Sequence, residues 1–375
     1  VAGCRWSLLA RRSWLASRYG GAEPKKVDKM PRTKRSIVIT GVSSTWGGRL
    51  AKRLAGDADT HVIGIDLNPP GDELKQIDFI QADVRNPLLA ELFDAEGVDT
   101  VCHLAFSATR RHTERAFDSN VLGTMKLLGA CAEARVRRVV LKSSTEVYGA
   151  CSDNPALITE DAPLRAHSRY ARIRYLLEIE GFCNNFQRQQ PEVALTILRF
   201  ANIVGPTAES PMIDLLSRPV AVTLLGFDPL MQLIHEDDVV EALVCAVSAD
   251  LPGTFNVAAE GVLPLARILR LTGRRPLPVA HPLGYFVHRI SGQGRLNLLK
   301  YPPFEPDYLR FPWVGDLDQM RTVMNFTPRY TAEEALIHLV EQRRLRSYLS
   351  PREVWQQTED RLRDVIEARR QETSL

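Results

Sequence analysis

Residues 168–174 read SRYARIR. On a helix, Tyr170 and Arg174 are four residues apart and share a face. Such a pair can move a proton. Hydride transfer at an alcohol carbon needs a group that takes up or returns the hydroxyl proton. A tyrosine does this near neutral pH only when its pKa falls well below its usual ~10, and a neighbouring positive charge lowers it by favouring the phenolate. The same residues also suit a solvated helix face, so the surrounding elements decide between the two.

A second stretch, SIVITGVSSTWGGRLAKRLA (36–55), reads as strand, glycine-containing turn and helix. A nucleotide-binding βα turn uses glycine to turn tightly, to let backbone approach a pyrophosphate, and to pack helix on strand. The helix N-terminus then offers N–H groups and the positive end of its dipole. Asp66 closes the next strand, HVIGID, where a carboxylate can accept from ribose hydroxyls and would repel a 2′-phosphate.

The elements between these stretches alternate. Short apolar runs at 36–40, 61–66, 78–83, 99–106, 137–144 and 193–200 are separated by helical stretches, including 113–134 and 168–189. Such spacing predicts an α/β fold, a Rossmann doubly wound parallel sheet with helices on both faces. After residue 205 the elements shorten. A helix is expected over 235–247, a strand over 253–258, and irregular structure over 275–316, rich in Pro, Gly and aromatics. A helix over 331–349 opens with the capping box Thr331-x-x-Glu334, and a charged helix follows from about 351 to 370. The expected division is a basic leader (1–35), a dinucleotide-binding domain (36–203), a smaller C-terminal α/β, mainly substrate-binding region (204–345) and a charged terminal helix (346–375).

Composition narrows the partners. The chain is 45% hydrophobic and 25% charged, an ordinary globular mix, and no apolar run reaches the ~18 residues of a membrane span. Residues 1–35 hold ten Lys/Arg against two Asp/Glu, the rest 38 against 43. The body is therefore mildly acidic, and the positive net charge describes the leader, not a nucleic-acid surface. The leader resembles a transit peptide in composition. However, the chain starts with Val and Met30 stands just before the first strand, so a start at Met30, or a disordered arm, is expected. Six scattered cysteines and eight dispersed histidines lack metal-ligand spacing, so no metal is expected, and free thiols fit a reducing cytoplasm.

The ordered motifs resemble those of the extended short-chain dehydrogenases/reductases, the NAD-dependent epimerase/dehydratase family. Its fingerprint T-G-x-x-G-x-x-G falls on Thr40, Gly41, Ser44 and Gly47, with Thr45 and Trp46 inside it; serine replaces the middle glycine. The segment ADVR places Asp83 and Val84 where the family meets adenine. CHLAF matches HLAA, whose backbone, here Leu104 and Ala105, lies along the cofactor. NVLGTMKLL, headed by Asn120, matches NVxGTxxLL, and KSSTEVYG resembles SSxxVYG. LRFANIVGP and LIHEDDVVEAL resemble LRxxNVYGP and FIHVDDVAEAL. The resemblance spans about residues 36–345.

It implies NAD as cofactor, bound by these residues and by Ser143, Tyr170 and Arg174. Ser144 would orient the substrate hydroxyl, beside Thr145, and Tyr170 would be the acid/base. Arg174 occupies the position of the family's lysine and keeps its charge but not its compact shape. Asn120 completes the catalytic set. Family members act most often on nucleoside-diphosphate sugars and commonly dimerise through two long helices. Asn202 stands where the substrate phosphate is often met, or is a local cap or turn. Met231 stands where many members carry a diphosphate-binding arginine; Arg218, Arg295 or Arg310 could substitute. The expected function is a sugar epimerase/dehydratase-like oxidoreductase. The alternatives are a dehydrogenase/reductase of a less polar hydroxy compound, or an NAD-binding sensor with little turnover.

Overall fold

The computed structural model describes residues 34–71, 74–75, 77–106, 113–166, 171–285, 304–348 and Arg363. Tyr170, Arg295, the leader up to residue 33 and the expected helix over 351–370, apart from Arg363, lie outside the described residues. The chain divides into two compact units, Val1–Lys34 and Arg35–Leu375, and every element below belongs to the second.

β1 (Arg35–Thr40) is an interior strand, and its Ile37, Val38 and Ile39 are wholly buried. A strand covered on both faces has no polar side to alternate with, which accounts for the unbroken apolar run. α1 (Thr45–Ala55) buries Gly47, Leu50, Ala51 and Leu54, a stripe at helical spacing. β2 (Thr60–Asp66), β3 (Asp78–Gln81), α2 (Leu89–Ala95), β4 (Val98–His103), α3 (Gly123–Glu133), β5 (Arg138–Ser144), α4 (Ala171–Gln189) and β6 (Ala194–Phe200) follow. With β10 (Gly253–Val257), these strands form one parallel sheet in the order β10-β6-β5-β4-β1-β2-β3.

Ile37 and Ile39 pack on one face with Leu50 and Leu54 of α1 and with Val239, Leu243 and Val247. Val38 packs on the other with Phe93, Leu127, Cys131, Ile179 and Cys183 of α2, α3 and α4. The sheet is thus doubly wound. A third core gathers most of the C-terminal region: β7 (Asn202–Val204), α5 (Pro211–Leu216), β8 (Val220–Leu224), β9 (Leu230–His235), β11 (Val262–Pro264), α7 (Leu265–Leu271) and α9 (Ala332–Tyr348), while α6 (Glu236–Ser248) and α8 (Asp318–Thr322) pack on the Ile37 face of the sheet and β12 (Arg275–Val279) pairs with β8. Met212, Leu215, Leu233, Ile268, Phe304, Trp313, Leu336 and Leu339 fill it. No helix among the described residues is long and apolar enough to cross a membrane.

Two expectations are corrected. The helix expected over 113–134 is broken: a turn at Glu114–Phe117 passes through a π turn at Asp118–Leu122 before α3 begins. Thr124 donates to the Asn120 carbonyl at 2.6 Å, the kind of back-bonding that distorts a helix. The irregular stretch expected from 275 begins with a strand, β12, parallel to β8. Its Arg275 N–H bonds Pro219 O. Pro276 and Pro278 fall at the alternate positions, which point off the edge of a two-stranded sheet, where a missing N–H costs nothing.

Candidate active site

The turn after β1 explains its glycines. Gly41 has φ +74°, and a Cβ there would lie 2.7 Å from the Leu104–Ala105 backbone. A Cβ on Gly47 would lie 2.2 Å from Gly41 O. The turn is therefore pressed against the end of β4, in the crevice where strand order reverses between β1 and β4, the usual ligand crevice of such sheets. Ser44 is the N-cap of α1. It donates to Gly41 O at 2.6 Å and accepts from Gly47 N at 3.1 Å. Its hydroxyl is spent within the turn, leaving the amides of Thr45 and Trp46 as first-turn donors. Gly47→Ala should lower stability by about 1–3 kcal/mol, because the new methyl meets backbone that cannot yield; urea unfolding of the variant measures it.

Asp66 accepts from Ser43 N and Asn68 N, both at 3.1 Å, so its carboxylate sits beside the turn. Asp83 is gripped by the Arg85 fork at 2.9 and 2.6 Å, which holds its carboxyl below the usual carboxylate range. Val84 is buried and lies over Gly123. Behind the crevice runs a buried chain that motif reading missed. Thr40 Oγ1 meets His103 Nδ1 at 2.7 Å, and His103 Nε2 meets Thr124 Oγ1 at 2.9 Å. Since Thr124 donates to Asn120 O, it accepts from Nε2–H, and Nδ1 accepts from Thr40.

Burial pushes His103 down to about 3 and, foremost, pushes His235 down to about 4. Below about pH 6.5 the unfolded chain binds protons that these folded imidazoles refuse. Their stabilisation is full above that pH and is lost as pH falls toward 4 and 3. Unfolding at pH 6.5 and 5 should show His103 contributing a loss of about 1–2 kcal/mol, with a flatter profile in His103→Gln.

At the end of β5 the side chains alternate between faces. Ser143 is buried and donates to Glu180 of α4. Its side chain is therefore not free to meet a cofactor as expected. Ser144 lies on the other face and caps the short turn Thr145–Tyr148, accepting from Glu146 N at 3.2 Å, with its own proton still to give. Thr145 is buried. Glu146 is buried too and is clasped by both terminal nitrogens of Arg172, one at 2.9 Å, which ties the first turn of α4 to the turn after Ser144. Arg174, two residues on, is exposed. Lys142 shares the face of Ser144, with Nζ 5.8 Å from the Trp46 ring centroid and 5.9 Å from that of Phe200.

Asn202 and Met231 belong to the C-terminal core. Asn202 Nδ2 donates to Gln232 O at 3.0 Å, bridging β7 and β9. Met231 is 1% exposed among apolar side chains; the expectation that it lines a substrate site is corrected, because β9 turns it inward. Arg310 stacks over Phe311 and Phe227 at 4.5 and 5.0 Å. Beneath Ser143, Glu180 and Arg199 pair bidentately at 3.0 and 2.6 Å, and Arg199 also donates to Tyr148 Oη at 2.7 Å and Glu160 O at 2.9 Å. Tyr148 in turn donates to Asn256 Oδ1 at 2.6 Å. A lone arginine inside the apolar strand LTILRF was the available signal for this network.

A doubly wound parallel sheet with a glycine turn at its reversal point defines a Rossmann-type α/β protein. The sequence matches the model of the NAD dependent epimerase/dehydratase family over residues 37–258, and the chain belongs to that family. An uncharacterized Mycobacterium tuberculosis protein is 35% identical over 336 residues, 86% of this chain and 88% of that one. Among solved structures, MoeE5 in complex with UDP-glucose and NAD is similar at TM-score 0.63 and 24% identity, covering 84% of this chain and all of its own. The UDP-glucose 4-epimerase of Thermotoga maritima with UDP-glucose gives 0.62 and 20%, over 82% and 98%. At these identities the structures speak for the fold.

Proposed function

We propose that the protein binds NAD along the carboxyl edge of the sheet and uses it to oxidise and re-reduce a carbinol carbon of a nucleotide sugar, as an epimerase or dehydratase-like oxidoreductase. The observation that carries this reading is the convergence of the Gly41–Gly47 turn, Asp66 and Ser144 on that edge. The residues fit the cofactor: the turn leaves first-turn amides of α1 for a pyrophosphate, and Asp66 suits a ribose without a 2′-phosphate. NAD supplies the hydride acceptor. Gly41, Thr45, Trp46 and Gly47 would line its phosphates, with Thr40 and Ser44 fixing the turn from within; Asp83 and Val84 would meet its adenine, and the Leu104–Ala105 backbone its length. Ser144 would donate to the substrate oxygen and Tyr170 would take and return the hydroxyl proton, with Asn120 positioned from the π turn.

MoeE5 and the Thermotoga epimerase carry UDP-glucose in their structures, which supports a nucleotide sugar. A second reading, a less polar hydroxy compound, draws on Met231, which stands in the core where the resemblance implies an arginine. The test is to denature the purified protein, identify the released nucleotide by mass spectrometry, and incubate the native protein with UDP-glucose while following the sugar by NMR and NADH by absorbance. Bound NAD with sugar interconversion and no net NADH supports the first reading. Stoichiometric NADH formed only with apolar alcohols would shift the assignment to the second. A protein that neither carries nor takes up NAD would sink both.

A further inference from the structure

We propose that Lys142 is a cofactor-binding residue, its ammonium donating to oxygen atoms of the bound dinucleotide between Trp46 and Phe200. The inference rests on the NAD reading above and adds to it a residue outside the tyrosine–arginine pattern.

Three elements meet at this ammonium. β5 supplies Lys142 on the same face as Ser144, two residues before it. The first turn of α1 supplies Trp46, the neighbour of Gly47 in the phosphate turn. The end of β6 supplies Phe200. Both rings lie within about 6 Å of Nζ, cation–π range, and both flank the sheet edge that faces the ligand crevice. The rings hold the charge in place without neutralising it. Among the described residues the Lys142 ammonium has no side-chain hydrogen bond or ion pair, only these two rings.

The charged groups around it are already committed. Arg172 of α4 and Glu146 after β5 clasp each other. Arg49 of α1 pairs with Glu236 and Asp237 of α6. Arg199 of β6 pairs with Glu180 on the opposite face of the sheet. A partly desolvated ammonium without a hydrogen-bonding partner is costly, and burial first, then the Arg172 charge, pushes it down to about 8, with Glu146 opposing. A ligand bringing phosphate or ribose oxygens would satisfy it. Lysine suits that task, being compact with three donors, whereas a guanidinium is a planar fork. Arg174, at the position where the family's pattern puts this charge, is exposed.

The test titrates NAD and AMP into the full-length wild type, Lys142→Met and Lys142→Arg from pH 6.5 to 9.5, reading tryptophan fluorescence and calorimetry. Lys142→Met should weaken NAD binding about tenfold, the effect of losing one charged hydrogen bond, and Lys142→Arg should recover part of it. AMP binding should change less than twofold, because Asp66 and Asp83 would hold the adenosine half. Wild-type affinity for NAD should fall as pH rises through about 8, where the ammonium loses its proton, and the Lys142→Met profile should be flat. Unchanged NAD binding in Lys142→Met, or equal weakening of NAD and AMP, overturns the proposal while leaving the NAD reading intact. A wild type that binds neither nucleotide overturns both.

Discussion

Arg199→Met is expected to destabilise the protein by about 3–5 kcal/mol, the cost of leaving a buried charge without its partner. Glu180 is wholly buried and takes its compensation from Arg199 Nε and Nη2, with a further bond from Ser143. The methionine fills the space of the aliphatic stem but gives back no donor. Tyr148 Oη and Glu160 O also lose the bonds they accept from Nη1. The network joins β5, the turn after it, α4, β6 and β10 through Asn256, so its loss loosens the frame that holds Ser144. Unfolding of Arg199→Met and of the double variant Glu180→Leu/Arg199→Met separates charge from packing. The double variant should recover more than half of the loss, since no buried charge remains. The sign of the pH effect is a second check. In Arg199→Met a buried carboxylate stands without its counter-charge, and burial penalises the ionised form, the form that prevails as pH rises. The deficit should be smaller at pH 5 than at pH 8. Equal losses in single and double variants at both pH values would mean that packing, not charge, sets the stability here.

Tyr170→Phe is expected to lower turnover about 10²- to 10⁴-fold, the usual worth of a general acid–base group, while leaving the bound dinucleotide unchanged. The substitution removes one hydroxyl and little else. Tyr170 immediately precedes α4, whose first turn is clasped to Glu146 by Arg172, and Glu146 stands two residues after Ser144. Arg172 and Lys142 bring two positive charges to this end of β5, and Glu146 offsets one. Positive charge beside a tyrosine favours the phenolate, the form the proposed proton step needs. The measurement is kcat on whichever nucleotide sugar turns over, beside the NAD content of the same preparation. Full turnover in Tyr170→Phe would move the proton step to another residue. Loss of NAD together with turnover would make Tyr170 a binding residue instead.

Much of the fold was legible in local pattern. Apolar runs separated by helices implied the parallel sheet, because strands buried on both faces need no polar alternation. The capping box was equally local, and Thr331 N bonds Glu334 at 2.8 Å. The fingerprint stretch marked the turn, and the close approach of Gly47 to Gly41 O shows why glycine stands there. The motif order also led to the right family.

Tertiary structure decided where the side chains of the site go. Ser143 and Ser144 are adjacent in sequence, yet one is spent on Glu180 and the other faces the opposite side of the sheet. Of the two arginines in YARIR, Arg172 turns inward to Glu146 and Arg174 outward. Lys142 stood just before the serine motif and joined the site only when α1 and β6 brought Trp46 and Phe200 to it. Met231 occupied an arginine's place in the pattern and proved to be core. The partner that decides Arg172 lies 26 residues away along the chain, and the one that decides Ser143 lies 37 away. A motif specifies which residue stands at a position. Strand register, helix rotation and packing against distant elements decide what its side chain touches, and the chemistry follows from that contact.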